Sequence, residues 1–439
     1  MRDILVTLMV FATLPYILRY PWYGVLAWSW LSYMNPHRLA YGFAATMPFA
    51  QIVAIVLLVA ILFNREKKTL PSNQLVNVWV IFLVWLSICT AAALIPEPAQ
   101  ADLIKIAKIQ LITFVTMLLM KDFQKVNQLV WVIVFSIGFY SVKGGVFTVM
   151  TGGAYHVYGP DGSDIWENNA LAVAVLMIIP LMQYLNKFPP QPWVKKIMPF
   201  CIVLSIASVL GSQSRGALLA IGAVGAFFWW KTSNKFLTGF VFVVLALFAV
   251  LFMPDSWTNR MSTTVTYEQD ASAMSRLDAW EYAINVASAR VTGGGLSSWS
   301  GENYARYGVP TPHPFVAHSI YFSVLNDSGW PGLFLFLLVL LLVWRQLGRA
   351  IAVTNDNPEY ADHNYLARML QVSLIAFMAG GAFLSLAYFD LAWHIMAITI
   401  AMTELTKGLS EKQGGGKKVK ERPNRAGTYR RRRRFPGKP

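Results

Sequence analysis

The feature that most constrains this chain is a succession of long apolar runs. They fall at about 3–34, 42–63, 76–95, 103–120, 127–150, 168–185, 196–211, 213–230, 236–253, 319–344, 366–386 and 388–406. A bilayer core is spanned by roughly 20 consecutive apolar residues in a helix, and within lipid every backbone polar group must be satisfied by a helix or a closed barrel. The runs are continuous rather than alternating, which predicts helices and not barrel strands. Composition agrees, since 56% of the 439 residues are hydrophobic and only 13% are charged, with a mean hydropathy of +0.46. A soluble chain of this size carries about twice that charge. The expected fold is all-α, a polytopic membrane protein of about 12 transmembrane helices with one large, partly helical loop. Arg19 and Pro21 interrupt the first run, which leaves two short helices, a broken helix or a re-entrant pair open. That run has no small-residue cleavage pattern, so it reads as an anchor.

The formal charge of +15 suggests a nucleic-acid partner until it is located. Between Glu411 and Pro439 there are twelve Lys and Arg, five of them consecutive at Arg430 to Arg434, against two acids, which leaves +5 for everything else. A basic tail directly after the last span fits contact with anionic headgroups, at about 1 kcal/mol per residue near the surface. It does not require nucleic acid. Cys89 and Cys201 both lie inside apolar runs, so no disulfide framework or cysteine-based zinc site is expected.

Loop charges set the orientation. Basic residues fall in the connections at 65–68, 121–125, 187–196, 231–235 and 345–349, all on one side if there are 12 crossings. The tail joins that side, which makes it cytoplasmic. The other side holds Glu97, Asp102, Asp161, Asp164, Glu167 and the single long extramembrane segment. The chain then divides into 1–253 with nine transmembrane helices, 254–318 as a large periplasmic loop carrying the chemistry, 319–408 with three more helices, and 409–439 as a basic cytoplasmic tail expected to be disordered. Inside the loop, Ser275 followed by Asp278 predicts a helix start that Gly293-Gly294-Gly295 ends. The Gly- and Pro-rich stretch 296–314 predicts irregular loop.

Four groups of residues can carry chemistry. Ser212-Gln213-Ser214-Arg215-Gly216 sits where one span reaches the outer face. Arg215 either snorkels to the interface or offers a planar donor fork to phosphate. Arg276, placed by this reading at a helix N-terminus, opposes the macrodipole there. A bound anion reconciles it, as does pairing with a nearby carboxylate. Arg260, Arg290 and Arg306 share its loop with weaker claims. His318 stands at the junction of loop and span and is the best general-base candidate, because imidazole accepts a proton near neutrality; His313 ranks second. A hydrogen-bonded structural histidine is the plainer alternative, and the pair has no further ligands at metal spacing. Lys105 and Lys108 lie three apart on one helix face and add positive potential or snorkel. Asp390 and His394, at i and i+4, suggest a packed polar pair.

An outward-facing cluster of cations with one histidine points to an anionic, phosphorylated substrate. Nucleotide-activated donors are not expected outside the cytoplasm, so a lipid-linked pyrophosphate fits. The order Ser214-Arg215-Gly216, then Arg276 with Trp280 and Gly293-Gly294-Gly295, then His318-Ser319 with Gly329-Trp330-Pro331-Gly332 resembles the bacterial O-antigen ligase and polymerase superfamily. Asn168-Asn169-Ala170-Leu171-Ala172 is similar to a stretch that opens a span in many members. The segment with Tyr33-Met34-Asn35-Pro36-His37-Arg38 and Pro48-Phe49-Ala50-Gln51 resembles the amino-terminal part of ligases associated with exopolysaccharide and exosortase systems. The resemblance covers almost all of the chain except the tail. It implies an inverting, metal-independent glycosyltransferase of the inner membrane, without a cofactor. Such an enzyme takes glycan from undecaprenyl pyrophosphate and attaches it to lipid A-core on the periplasmic side. By it, Arg215 and Arg276 contact the pyrophosphate and His318 activates the acceptor; position and charge make Arg260, Arg290, Lys105, Lys108 and His313 the candidates around the substrate. Ser319 stands where the family often has Asn after this histidine. A protein O-oligosaccharyltransferase and an O-antigen polymerase share donor and motifs; a transporter or flippase is the more distant alternative.

Overall fold

Polar residues punctuate the apolar runs where helices start. Asn73, Asp122 and Ser214 each turn a side-chain oxygen onto a backbone N–H of the first turn that follows, at 2.9, 2.9 and 3.2 Å, satisfying one of the donors that a helix start leaves open. In the computed structural model the chain is described over residues 1–64, 69–232, 234–252, 254, 271–309, 311 and 314–416, and among these it is helical without strands.

In chain order the helices are α1 (Arg2–Arg19), α2 (Trp22–Met34), α3 (Phe49–Phe63), α4 (Gln74–Ala91), α5 (Pro96–Leu119), α6 (Phe123–Met150), α7 (Asn168–Lys187) and α8 (Pro192–Gly211). They continue with α9 (Arg215–Lys231), α10 (Lys235–Phe252), α11 (Ala271–Ala289), α12 (Gly301–Arg306), α13 (Ile320–Thr354), α14 (Ala361–Gly381) and α15 (Asp390–Gly416). The first apolar run is two helices, broken at Tyr20 and Pro21, and both pack on α3. Among the described residues, five helices, α4, α6, α7, α8 and α13, are long and apolar enough to cross a membrane. α3 and α9 are apolar but shorter, and α5 carries Glu97, Asp102, Lys105 and Lys108 between its start and its middle.

From α4 onward the connections gather at two ends. At one end Phe123 stacks on His363 with ring centroids 3.6 Å apart, Lys187 lies 4.2 Å over the Tyr365 ring, and Gln346 hydrogen-bonds Asn73. The basic connections at 121–125 and 187 are therefore neighbours, as the charge pattern predicts. At the other end Leu94 N–H donates to Gly294 O at 2.8 Å, and Asn168 Nδ2 donates to Ser212 O at 2.7 Å.

Three expectations change. α11 begins at Ala271, so Ser275 and Arg276 lie inside the helix and not at its start. The stretch 296–314 contains α12, which Ser300 caps by accepting the Asn303 N–H at 3.3 Å. Asp390 and His394 share a face but bond elsewhere: Ser32 donates to Asp390, while the His394 ring meets the Tyr33 hydroxyl at 2.5 Å and Thr116 at 3.3 Å. The i, i+4 spacing fixes a common face, and it is α2 and α5 that supply the partners. Arg260, His313 and the tail 417–439 lie outside the described residues.

α6 and α8 approach each other closely. A Cβ on Gly145 would stand 2.0 Å from the Leu204 carbonyl oxygen, and Ser141 and Ser205 hydroxyls meet at 2.7 Å beside it. Small residues and hydroxyl pairs are how helices approach closely in lipid. Gly145→Ala should therefore lower the apparent unfolding temperature in detergent, in line with an overpacking cost of about 1–3 kcal/mol. Gly222→Ala, where a Cβ meets nothing within 4 Å, should leave it unchanged.

Candidate functional site

The end of the bundle opposite the basic connections is built by turns locked to one another. The arc 151–168 wraps the α8–α9 turn: Val157 N–H donates to Gly211 O at 3.3 Å, Gln213 Nε2 to Gly153 O at 3.0 Å, and Asn168 Nδ2 to Ser212 O. Gln213 takes a left-handed φ of 55°, a conformation costing about 1–2 kcal/mol for a residue with a Cβ. The turn it makes sets Arg215 at the first position of α9. The conflict with the helix dipole that the sequence suggested for Arg276 thus belongs to Arg215.

His318 lies on the second locked turn. Its φ is 44°, and the carbonyl before it, Ala317 O, accepts the Trp280 indole N–H at 2.8 Å. The Trp280 ring stacks on Phe322 at 4.7 Å, so one side chain of α11 holds both ends of the segment that presents the imidazole. Ser319 opens α13, and its buried hydroxyl has no hydrogen-bond partner among the described residues. The two turns meet the same helix end: Gly216 faces Phe383 and Ile320 faces Gly381, at and just past the end of α14.

Charge converges on the half-buried His318. Burial lowers its pKa from the ordinary 6.5, the Arg276 cation lowers it further, and the Glu167 carboxylate opposes both. Arg276 of α11, Glu167 before α7 and His318 before α13 are thus within electrostatic reach of one another. Both lowering influences favour the neutral imidazole, the form able to accept a proton. Arg290 is placed otherwise: it donates to Gly293 O at 2.8 Å and to Ala92 O at 2.5 Å, joining two turns. Lys105 pairs with Asp164 at 2.5 Å. Lys105 and Lys108 line a groove of about 540 Å³ with His37 and Arg38, whose other wall is largely apolar. Among the described residues, no three His, Cys, Asp or Glu come together as metal ligands.

Residues 200–337 match a family described as O-Antigen ligase. The chain carries an O-antigen ligase domain. This bears out the resemblance carried by the motifs and supports a ligase- or polymerase-type function. Residues 1–189 match a family of unknown function, DUF5935, and none of the curated proteins matches the chain. Arg215, Arg276, Arg290 and His318 lie inside the O-antigen ligase domain, whereas Glu167, Asn168, Lys105 and Lys108 come from the amino-terminal family. Glu167 was visible in the sequence only as one acid of an outer loop; its place beside the histidine depends on the Asn168–Ser212 contact.

These couplings have a sign. Arg276→Gln should raise the pH at which His318 protonates, because a cation that disfavours imidazolium is gone. Glu167→Gln should lower it. Nitrogen-15 NMR of histidine-labelled protein, with six histidines to assign, measures both shifts; movement in the same direction in the two variants would falsify the arrangement.

Proposed function

We propose that the protein is an O-antigen ligase of the bacterial inner membrane, taking glycan from undecaprenyl pyrophosphate and transferring it to lipid A-core on the periplasmic side. The observation that carries this reading is that Arg276 of α11 bears on His318 at one end of the bundle, with Arg215 following a turn that meets the same helix end, within a segment that matches the O-Antigen ligase family. The segregation of basic connections to the opposite end supports placing that end in the cytoplasm. About 12 crossings and a periplasmic loop over 254–318 belong to the same reading.

The chemistry follows from the charges. The acceptor hydroxyl oxygen attacks the anomeric carbon of the donor from the face opposite the pyrophosphate, the bond from that carbon to the phosphate oxygen breaks, and the configuration inverts. His318 takes the hydroxyl proton as the new bond forms, a contribution of about 10² to 10⁴ in rate. Arg215 and Arg276 face the negative charge that grows on the departing lipid pyrophosphate, where guanidinium donors stabilise the transition state more than the ground state. No step in this scheme calls on a metal or cofactor. Lys105 and Lys108 add positive potential near the membrane. Arg260 and His313 remain candidates around the substrate, and the tail binds headgroups.

Purified protein given an undecaprenyl-pyrophosphate glycan and either lipid A-core or a glycosylatable protein tests the assignment through product identity. Glycoprotein as the sole product would replace the ligase reading with a protein O-oligosaccharyltransferase, and chain extension on the donor with a polymerase. His318→Ala should nearly abolish transfer while donor binding persists. Arg215→Lys and Arg276→Lys should recover only part of the donor use lost in the alanine variants, because the bidentate fork is missing. The wild-type rate should fall as pH drops through a pKa below 6.5, since the base then carries a proton, and the Arg276→Gln profile should fall at higher pH. A His318→Ala protein that transfers at the wild-type rate in equal amount removes the base from the mechanism.

A further inference from the structure

Beside the His318 turn lies a second cavity of about 290 Å³, part polar and part apolar, to which the mechanism above assigns no substrate. Its chemistry-bearing walls are Asp102, Ser297, Trp299, Ser323, Asp327 and Tyr388, with the Lys105–Asp164 ion pair on one side. We propose that this cavity is a saccharide subsite that holds the acceptor sugar and takes a neutral or amino sugar in preference to an acidic one. The inference rests on the glycan-transfer reading.

The wall is fixed before any ligand arrives. Asp327 is only 4% exposed and accepts from the Tyr388 hydroxyl and from Asn326 Nδ2, both at 3.1 Å. Asp102 accepts from the Ser297 hydroxyl. A carboxylate has about four lone-pair sites, so both acids keep acceptor capacity for sugar hydroxyls. Trp299 packs against Tyr282 at 5.4 Å and still lines the cavity, offering an indole face to the apolar C–H face of a pyranose ring. A small concave site of aromatic and convergent polar groups is the usual form of a ligand pocket.

Charge selects the sugar. Three carboxyl groups, Asp102, Asp164 and Asp327, face one ammonium, Lys105, and that ammonium is already paired with Asp164. Among the described lining residues no unpaired cation offsets the Asp102 carboxylate, so an acidic sugar meets like charge there, and rejection by repulsion is an effective source of specificity. The pyrophosphate belongs instead with Arg215 and Arg276.

Position selects the acceptor. Val316, two residues before His318, lines the cavity, and Ser323 lines it one turn into α13. The segment 382–389 separates the two substrates: Phe383 packs on Gly216 beside Arg215, while Ser385 to Phe389 line the cavity. A sugar held here lies next to the segment that carries the base, and an inverting displacement needs its hydroxyl on the face opposite the pyrophosphate.

Saturation-transfer NMR on the full chain in nanodiscs, with methyl glucoside, glucosamine and glucuronate as separate probes, tests the site without turnover. Binding of the first two and not of glucuronate is expected. Trp299→Ala should weaken both bound probes at least tenfold. Asp102→Asn, which keeps an oxygen for Ser297 and should fold, should weaken glucosamine more than methyl glucoside and admit glucuronate. Glucuronate bound as tightly as methyl glucoside by the wild type, or unchanged affinities in both variants, overturns the proposal. In the transfer assay the same variants should raise the acceptor KM about tenfold and leave the donor KM alone; a rise confined to the donor KM overturns the acceptor assignment. Sugar binding without turnover on any donor leaves this site standing and removes the transfer reading.

Discussion

Everything at the functional end depends on one contact between two pieces of backbone. Gly293, with φ 64°, and Gly329, with φ 65°, are pressed together so closely that a Cβ on the first would lie 2.3 Å from Asn326 O and one on the second 2.1 Å from Val291 O. Only glycine allows both the left-handed angle and the approach. Gly294 N–H then donates to Asn326 O at 2.7 Å, and its own carbonyl accepts from Leu94. This docks the end of α11 onto the first turns of α13 and onto the α4–α5 turn together. Trp280 reaches Ala317, Ser298 reaches Asn326, and Arg290 reaches Ala92 because that joint fixes the distances. The break in α13 at Gly329 is the geometric result: the helix restarts in a new direction at Trp330.

Much of this was legible in the sequence. Long apolar runs gave the helices, since hydropathy and length report the burial of a helix without reference to partners. The triple glycine marked the end of α11, and the order of the Arg215, Arg276 and His318 motifs carried the family resemblance. The errors have local causes. Ser275 and Asp278 have the spacing of a capping box, but the same spacing fits inside a helix, and only the observed start at Ala271 tells the two apart. Ser300 caps α12 in a stretch whose Gly and Pro content argued for loop. Asp390 and His394 showed their common face but not that Ser32 and Tyr33 meet it.

Partners contributed from far along the chain were the part the sequence hid. Glu167 and Asp327 are unremarkable as single acids among polar neighbours. Their meaning comes from burial and from which turn they face, and both depend on contacts spanning tens to hundreds of residues, such as Trp85 Nε1 to Ser328 O at 2.8 Å and Tyr388 to Asp327. Charge separation emerges only at that level. Arg215 follows the turn beside Phe383, and three carboxyl groups line the cavity walled by Ser385 to Phe389.

The division of the site between two families has a consequence for inheritance. Glu167 and Asn168 belong to the segment of unknown function, and Ser212, Arg215 and His318 belong to the O-antigen ligase domain. The hydrogen bond from Asn168 to Ser212 runs across that boundary. Neither segment can be exchanged between relatives as a cassette unless the other side of this seam comes with it. A recombinant that joins mismatched halves in the 190–199 region would keep every helix and every arginine, yet lose the registry that sets the charge around the histidine. Selection on the pair as a unit, rather than on either segment, is what such a seam enforces.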